Sequence, residues 1–362
     1  MSITKEQVQQ AAGEIIDVNS EKSLSTTKSI KAVEVEAGKV SITISLGYPA
    51  AGYFDELKKL VTETVSALDG VESVDVKVSS KIMSHAVQQN LKPQQGIKNI
   101  IAVASGKGGV GKSTTAVNLA LALQAEGATV GILDADIYGP SMPRMLGCTG
   151  QPESIDGKSL EPKIGHGIQA MSIGFLVEED TPMIWRGPMV TQALEQLLND
   201  TNWKDVDYMI IDLPPGTGDI QLTLAQKIPV SGAVIVTTPQ DIALLDARKG
   251  LKMFEKVEVP VLGVVENMSI HICSECGHAE HIFGEGGGAR MATEYGVDFL
   301  GALPLDIKIR ENADSGHPTV AALPDSKITE IYRQIARKTA AKLATKAKDH
   351  SAAFPSIVIE NN

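Results

Sequence analysis

The sequence predicts an α/β protein in which a mostly parallel sheet carries helices on both faces. From residue 99 onward, short apolar runs alternate with longer segments that have helical spacing. The runs are continuously apolar rather than alternating, and strands buried on both faces of a parallel sheet have this pattern. A glycine-rich segment joins the first run to the first helical segment. The predicted strands cover residues 100–103, 129–133, 168–172, 208–211, 233–237, 261–265 and 299–303.

The first 82 residues are predicted to form a separate, small α/β domain. Apolar residues alternate over 40–46 and over 74–78, as they do in half-buried strands. Between these strands the apolar residues of 54–68 recur at helical spacing, and a first helix is predicted over 8–16. The predicted order of elements is therefore α-β-β-α-β.

A linker is predicted between the two parts of the chain. Residues 85–98 are rich in glutamine and include a proline and a glycine, which is typical of a connecting segment. The linker is placed at 83–98. The main domain then covers 99–348, and residues 349–362 form a short tail.

Composition and charge exclude several classes of protein. The 43% hydrophobic and 21% charged content of the 362 residues is that of a globular protein. A net charge of −11 argues against nucleic-acid binding, which needs a basic face. Three cysteines are too few for a disulfide framework, so we expect a reducing compartment. With neither a signal peptide nor a run of roughly 20 apolar residues, we expect a cytoplasmic protein without membrane insertion.

The glycine-rich segment matches the phosphate-binding pattern G-x-x-x-x-G-K-[ST]. Its backbone N–H groups are expected to cradle phosphate oxygens, and the helix predicted over 114–124 points its N-terminus at the anion. Lys112 is expected to reach the β- and γ-phosphates of ATP, and the Ser113 hydroxyl is expected to bind Mg²⁺. The candidate nucleotide-binding residues of this loop are Gly106, Lys107, Gly108, Gly109, Val110, Gly111, Lys112, Ser113 and Thr114.

Acidic residues directly follow two of the predicted strands. Asp212 comes after the strand over 208–211, where a carboxylate can anchor Mg²⁺ and its waters. Asp136 follows the strand over 129–133 and is expected to orient, and to deprotonate, the water that attacks the γ-phosphate. For Asp134, a purely structural role at a helix cap or a turn is equally open.

Lys107 is one lysine more than the phosphate-binding pattern requires. At the mouth of the loop, this side chain cannot easily fold back onto its own nucleotide, but it could reach a nucleotide held by a second copy. Lys107, Lys112 and Asp136 are therefore the candidate catalytic residues.

Three segments together resemble the deviant-Walker ATPases: residues 107–114, 134–141 and 212–219. This branch includes nitrogenase iron protein, the Min and Par positioning proteins and the Mrp/ApbC iron–sulfur cluster carriers. The resemblance implies a homodimer that hydrolyses ATP slowly, and it implies that Lys107 contacts the partner's nucleotide. A positive charge supplied in trans stabilises the transferring phosphoryl group.

Cys273 and Cys276 form a C-x-x-C pair, for which three interpretations are open. A redox dithiol is one, although nothing around the pair suggests a thioredoxin-like fold. A zinc site with further ligands from His271, His278 or His281 is the second. In the third, two chains of a dimer supply the four thiolates that a [4Fe–4S] cluster needs.

The sequence around this pair narrows the resemblance to one family within this branch. Asn-Met-Ser at 267–269, followed by C-x-x-C-G-H and then Ile-Phe-Gly, is the pattern of the Mrp/ApbC carriers. Residues 185–189 also resemble that family, and the resemblance extends over 99–340. The Min and Par proteins lack the pattern at 267–284.

The narrower resemblance implies a function and a set of partners. It implies that Cys273 and Cys276 hold a labile [4Fe–4S] cluster at a dimer interface and that the cluster passes to apo iron–sulfur proteins. It also implies that Asn267 contacts adenine and that a cluster-assembly scaffold is a partner.

The N-terminal domain resembles a small α/β domain that precedes many bacterial carriers and also occurs alone in cluster-assembly proteins. That domain often has a cysteine in its strand–helix turn, but residues 46–52 read Leu-Gly-Tyr-Pro-Ala-Ala-Gly here. We therefore expect partner or target docking rather than metal binding.

One alternative function comes from a different class of protein. A positioning or scaffolding ATPase of the Par or Min kind, with structural zinc at the C-x-x-C, would have the same nucleotide site. Min-type proteins also bind membranes through a basic terminal helix, and a basic helix is predicted here over 327–348. Its apolar stripe lacks Trp and Phe, which favours packing on the sheet.

Overall fold

The computed structural model describes residues 3–88, 91–177, 187–273 and 275–346. Its strands, in chain order, are β1 Ile16–Asp17, β2 Lys22–Ser23, β3 Ile30–Glu36, β4 Lys39–Leu46, β5 Ser73–Ser80, β6 Ile97–Ala104, β7 Val130–Asp134, β8 Lys163–Gly165, β9 Ile168–Ser172, β10 Val206–Asp212, β11 Gly232–Thr237, β12 Val261–Glu266, β13 His271–Ile272, β14 Ala279–Glu280 and β15 Phe299–Ala302. Its helices are α1 Lys5–Gly13, α2 Phe54–Ser66, α3 Lys112–Ala125, α4 Met142–Met145, α5 Gly187–Asn199, α6 Asp219–Lys227, α7 Asp241–Lys256, α8 Gly287–Tyr295, α9 Ile307–Asp314, α10 Thr319–Ala322 and α11 Lys327–Ala344.

The main sheet has eight strands in the order β15-β12-β11-β6-β10-β7-β9-β8. Seven of them are parallel, and β8 pairs antiparallel with β9 at the edge. Every residue of β7, β9 and β11 is buried, because helices cover the sheet on both sides. The predicted fold class, a mostly parallel sheet with helices preceded by a small α/β sheet domain, is confirmed.

The strand order brings together the segments that carry the chemistry. β10 lies between β6 and β7, and Asp212 at the end of β10 pairs in register with Asp134 at the end of β7. The loop after β6 leads into α3 from the same edge of the sheet. Ligands of open α/β sheets bind at this carboxyl edge.

The N-terminal residues form a three-stranded sheet in the order β3-β4-β5, in which β4 and β5 are parallel. The predicted first helix over 8–16 is too long at its C-terminal end. α1 ends at Gly13, and Ile16 instead pairs with Ser23 in the short β1–β2 hairpin. Thr4 fixes the start of α1 through a capping box with Gln7.

Two further features differ from the prediction: the structure has an additional strand, β8, and β6 begins earlier than predicted. β8 was not predicted, because a three-residue edge strand is too short for a periodic pattern; His166 and Gly167, with φ of 50° and 84°, turn it directly into β9. β6 begins at Ile97, inside the segment predicted as linker. The tail predicted at 349–362 lies outside the described residues.

The C-terminal helix α11 packs against α3, β12 and β15, as predicted for this basic segment. Its buried Arg337 donates to Oε1 of Glu126 at 2.7 Å, and Arg333 donates to the same oxygen at 2.7 Å. The other oxygen of Glu126 accepts from the backbone N–H of Gly52 at 2.8 Å. Glu126 therefore joins the end of α3, helix α11 and the N-terminal domain.

Among the helices of the described ranges, none has both the length and the apolar content to cross a bilayer.

Candidate functional site: a phosphate-binding loop and an exposed cysteine pair

The loop between β6 and α3 has the backbone that a phosphate cradle needs. Gly111 precedes α3 with φ of 81°, a left-handed conformation that favours glycine. Gly109 has φ of 79°, and a Cβ there would meet open space. A Cβ at Gly106 would instead overlap the backbone of Asp246 and Ala247 in α7, so this position requires glycine. The N-terminus of α3 thus faces an open, glycine-lined loop.

Lys112 and Asp212 form a buried ion pair at the start of α3. The Lys112 Nζ lies 2.6 Å from Oδ1 of Asp212 and 3.2 Å from Oγ of Ser113. Asp212 is fully buried, and among the described residues its Oδ2 has no hydrogen-bond partner. Burial raises the pKa of Asp212, and the charge of Lys112 opposes that rise.

These groups fit a magnesium–nucleotide complex. Mg²⁺ prefers carboxylate, hydroxyl and water oxygens. The buried Oδ2 of Asp212, unpaired among the described residues, is a carboxylate oxygen, and Ser113 supplies a hydroxyl oxygen. Lys112 supplies a positive charge at the helix N-terminus, where phosphate oxygens bind. A bound Mg²⁺ neutralises charge that develops on the transferring phosphoryl group.

Asp134 has a structural role that supports its neighbour Asp136. Its buried Oδ2 accepts hydrogen bonds from the backbone N–H of Ser141 at 2.8 Å, from that of Met142 at 3.0 Å and from Oγ of Ser172 at 3.1 Å. Its Oδ1 accepts from the backbone N–H of Asp136 at 3.2 Å. Asp134 therefore caps α4 and fixes the loop that carries Asp136.

Asp136 lies half-buried beside this ion pair. Burial raises the pKa of its carboxyl group, and the nearby Lys112 ammonium partly offsets the rise. The backbone N–H groups of Tyr138 and Gly139 also interact with the carboxylate and lower its pKa. A carboxylate with a raised pKa is suited to accept a proton.

The loop after β10 is tied to the phosphate-binding loop through its backbone. The N–H of Gly216 donates to the carbonyl of Ser105 at 3.0 Å, and the Ser105 hydroxyl donates to the carbonyl of Lys107 at 2.9 Å. The Lys107 side chain itself is half-buried and forms no ion pair within the described ranges. Its predicted contact with a second copy stays a prediction.

Asn267, which follows β12, lies against the phosphate-binding loop. Its Nδ2 donates to the carbonyl of Val110 at 2.9 Å, and a Cβ at Gly111 would overlap this amide. The backbone N–H of Asn267 donates to the carbonyl of Thr237 at 2.7 Å. The sequence predicts a contact between Asn267 and adenine, but it does not predict this contact between Asn267 and the loop.

The cysteine pair lies at the tip of the β13–β14 hairpin. The backbone N–H of Cys273 donates to the carbonyl of His278, and the N–H of Gly277 donates to the carbonyl of Cys273, both at 2.9 Å. Cys276 is exposed and Cys273 is half-buried. The hairpin therefore presents both sulfur atoms near the surface, six and nine residues after Asn267 in the chain.

The surroundings of Cys273 favour its thiolate. Backbone N–H groups of Cys276 and Glu275 interact with the Cys273 sulfur and hold the pKa of that thiol below its usual value. His271 and His281, two of the proposed zinc ligands, bond through Nδ1 to the carbonyls of Leu305 and Ser269. Across the described ranges, no group of three or more His, Cys, Asp and Glu residues is arranged to hold a metal ion.

The charged residues that join the two domains were not predicted. Glu126, Arg333 and Arg337 belong to different parts of the chain, and the one available signal was the spacing of two arginines four apart on α11. Trp185 and Arg186, part of the predicted family pattern, lie outside the described residues.

Comparison with known proteins gives the family. A family model described as "NUBPL iron-transfer P-loop NTPase" matches residues 96–340, which is more than half of the chain. The chain belongs to this family. A second model, "Iron-sulfur cluster assembly protein", matches residues 5–78.

Curated relatives of this family member cover most of the chain. An "Iron-sulfur cluster carrier protein" of Escherichia coli K12 is 54% identical over 321 residues, covering 88% of this chain and 87% of the relative. A protein of the same description from Pseudomonas fragi is 61% identical, covering 75% and 96%. The mouse "Iron-sulfur cluster transfer protein NUBPL" is 50% identical, covering 76% and 86%. The predicted resemblance to Mrp/ApbC-type carriers is confirmed.

Solved structures agree with the fold. A nucleotide-binding protein from Archaeoglobus fulgidus, solved in complex with ADP, is 39% identical and has a TM-score of 0.54, covering 61% of this chain and 87% of that one. The cell-division ATPase MinD of Pyrococcus furiosus is 22% identical with a TM-score of 0.50, covering 66% and 97%. At 22% identity, the likeness to MinD concerns the fold alone. The chain is a P-loop nucleotide-binding protein with the sheet of the MinD/ParA type.

Proposed function

We propose that this protein is an ATP-hydrolysing homodimer that binds a [4Fe–4S] cluster and transfers it to apo-proteins. The observation that carries the proposal is the position of Cys273 and Cys276. They lie at an exposed hairpin tip, on the same stretch of chain that places Asn267 against the phosphate-binding loop. The described relatives, named cluster carrier and cluster transfer proteins, support the same function.

In this proposal each protomer binds one Mg²⁺–ATP. Lys112 and Ser113 contact the phosphates and the metal ion, and Asp212 anchors the metal ion through its waters. Asp136 orients the attacking water, and Lys107 reaches the partner's triphosphate. Asn267 contacts adenine in addition to its bond with the loop. We expect slow ATP turnover, as in a carrier whose ATPase activity serves the binding and release of its cluster.

The number of thiolates supports a shared cluster. One chain supplies the sulfur atoms of Cys273 and Cys276, which are half of the four thiolates that a [4Fe–4S] cluster binds. A two-fold axis brings identical surfaces of two protomers together, so two hairpin tips complete the set without other residues.

Apolar side chains around the hairpin support a protein contact at this surface. Ile272 and Ile282 flank the cysteine pair, Ile242 and Leu245 lie on α7, and Ile307 begins α9; each is at least half exposed. The segments that carry them follow the carboxyl ends of β12, β11 and β15, which are neighbours in the sheet. Exposed apolar side chains concentrated at one edge mark interaction surfaces.

One hydrogen bond and a short stretch of chain join the two sites. Asn267 contacts the carbonyl of Val110, and Ser269, two residues on, donates from its N–H to the carbonyl of Leu303 at 2.9 Å. The hairpin with the cysteines starts at His271. A change at the phosphate-binding loop on ATP hydrolysis can thus move the hairpin, provided that ATP binds one dimer arrangement more tightly than the other.

The N-terminal domain, for which we retain the limits 1–82, is proposed to dock a cluster-assembly scaffold or a recipient protein. Its match to a model of iron–sulfur cluster assembly proteins supports this role. The predicted linker 83–98 connects it to the carrier domain, whose first strand already begins at Ile97. We place the protein in the cytoplasm, where thiols stay reduced.

Anaerobic reconstitution with ferrous iron and sulfide tests the proposal. The expected product is brown, holds four iron atoms per two chains and activates an apo-[4Fe–4S] enzyme when mixed with it. Cys273→Ala and Cys276→Ala should each abolish iron binding. Cys148→Ala is the matched control, because Cys148 is buried and burial raises the pKa of its thiol.

A different result would support the alternative function. A colourless protein that retains one zinc ion per dimer, with zinc lost in Cys273→Ala, would point to a Par- or Min-type ATPase with a structural metal. Iron binding by a strictly monomeric, nucleotide-loaded protein would contradict the shared site.

A further inference from the structure

A cavity of about 470 Å³ lies between the N-terminal domain and the end of α11. The β1–β2 hairpin, the carboxyl ends of the parallel strands β4 and β5 and the last turn of α11 form its walls. Pockets for small molecules commonly lie between domains and have volumes of roughly 300–1,000 Å³. The residues that line this cavity differ from those of the phosphate-binding loop and of the cysteine hairpin.

Four lysines line the cavity: Lys22, Lys31, Lys81 and Lys346. The first three come from the N-terminal domain, and the fourth follows α11. None of their ammonium groups forms an ion pair with the described part of the chain. In a protein with a net charge of −11, a recess that collects four positive charges attracts anions.

The acidic side chain in the lining, Asp17, offsets only part of this positive charge. Asp17 is buried, and its Oδ1 accepts from the Tyr48 hydroxyl at 2.8 Å and from the backbone N–H of Asn19 at 3.1 Å. Its Oδ2 accepts from the Ser20 hydroxyl at 2.6 Å and from the Ser20 N–H at 3.3 Å. These four bonds occupy the carboxylate, so Asp17 shapes the wall and is not arranged to bind a cation.

Hydroxyl groups and a few apolar side chains, among them Leu46 and Met83, also line the cavity. Thr26 and Ser45 contribute hydroxyl groups to the walls, whereas the Thr345 hydroxyl, also in the lining, donates to the carbonyl of Lys342 at 2.8 Å. Hydroxyl and ammonium groups together donate to oxygen-rich anions, and lysine binds phosphate or carboxylate as a point charge. The arrangement matches a small molecule with several anionic oxygens better than an apolar ligand.

We propose that this cavity binds a small polyanion that carries phosphate or carboxylate groups. Because the lysines come from both sides of the domain junction, the ligand contacts both domains only when they are docked. Binding therefore stabilises the docked arrangement, which Glu126 also holds at the end of α3.

Calorimetric titration tests the site, with the phosphate-binding loop first saturated by Mg²⁺–ADP. Glycerol 3-phosphate and tricarballylate are the two probes, one for phosphate and one for carboxylate chemistry. We expect at least one of them to bind, and we expect the double variant Lys22→Gln/Lys81→Gln to weaken that binding roughly tenfold or more, since each loses a charge-assisted contact. Which probe binds identifies the anionic group.

The double variant Lys5→Gln/Lys77→Gln is the matched control, because both lysines are exposed in the same domain and neither lines the cavity. It should bind the probe as the unmodified protein does. All four substitutions are at exposed positions, so both variants should keep the melting temperature of the ligand-free protein. The proposal is overturned if neither probe binds at millimolar concentration, or if the cavity variant binds as tightly as the control.

Discussion

The ammonium group of Lys112 lies 2.6 Å from Oδ1 of Asp212, and both residues are buried. In the proposed function these two groups have different ligands, because Lys112 contacts phosphate and Asp212 anchors Mg²⁺. When nucleotide and Mg²⁺ bind, Lys112 and Asp212 must therefore either separate from each other or contact their ligands while the ion pair persists. The second oxygen of Asp212, which has no partner among the described residues, is the atom available to magnesium-bound water.

Asp212→Asn should separate nucleotide affinity from its dependence on magnesium. Without the carboxylate, Lys112 is free for phosphate, so we expect ADP to bind in EDTA at least as tightly as it binds to the unmodified protein. The gain in affinity on adding Mg²⁺ should be lost, since the anchor for its waters is gone. Calorimetric titration with and without Mg²⁺ measures both effects. A gain as large as that of the unmodified protein would remove Asp212 from the magnesium site.

Lys107→Ala should retain ADP affinity and lower ATP turnover about tenfold to a thousandfold, because a positive charge at the transferring phosphoryl group is lost. Steady-state phosphate release measures the turnover. Lys77→Ala, an exposed lysine of the N-terminal domain, is the control and should change neither quantity.

Asp136→Asn should bind ATP but hydrolyse it roughly 10²–10⁴-fold more slowly, the usual contribution of a general base. The unmodified enzyme should also lose activity as the pH falls through the pKa of Asp136, since the base acts only when deprotonated. Burial raises this pKa, so the acidic limb of the pH–rate profile should lie above the value of about 3.9 for an ordinary aspartate. A profile without that limb would remove Asp136 as the base.

A mixture of these two variants tests whether Lys107 acts in trans. In a heterodimer of Lys107→Ala and Asp136→Asn, one composite site would have an intact Asp136 and the partner's intact Lys107. Equal mixing should restore roughly a quarter of the normal activity, because half of the dimers are mixed and each has one complete site. If the mixture is no more active than the separate variants, Lys107 acts within its own chain or not at all.

Arg337→Met should destabilise the junction between the domains. The substitution leaves Arg333 as the remaining ion-pair partner of the buried Glu126 among the described residues, and breaking a buried ion pair costs about 3 kcal/mol. Arg310→Met is the control, because Arg310 is well exposed and its pairs with Glu311 and Asp314 are worth at most about 1 kcal/mol. Urea unfolding compares the two variants; equal midpoints would mean that Arg337 contributes no more than a surface pair.

The strands and the phosphate-binding loop could be predicted because their signals are local. Residues 208–211 are continuously apolar and lie within β10, and Gly106 to Thr114 follow a fixed spacing. Short elements were harder, since β8 has three residues and the end of α1 depends on pairing between Ile16 and Ser23. A contact between distant residues leaves no periodic pattern in the sequence.

The sequence by itself determined the fold class, the phosphate-binding loop and the cysteine pair, because each depends on residue types at short spacing. The tertiary structure alone decided which groups meet: Lys112 with Asp212, Asn267 with the carbonyl of Val110, and Glu126 with two arginines of α11. The order of strands in the sheet determines these contacts. That order depends on how the whole chain buries its apolar surface, which no single segment encodes.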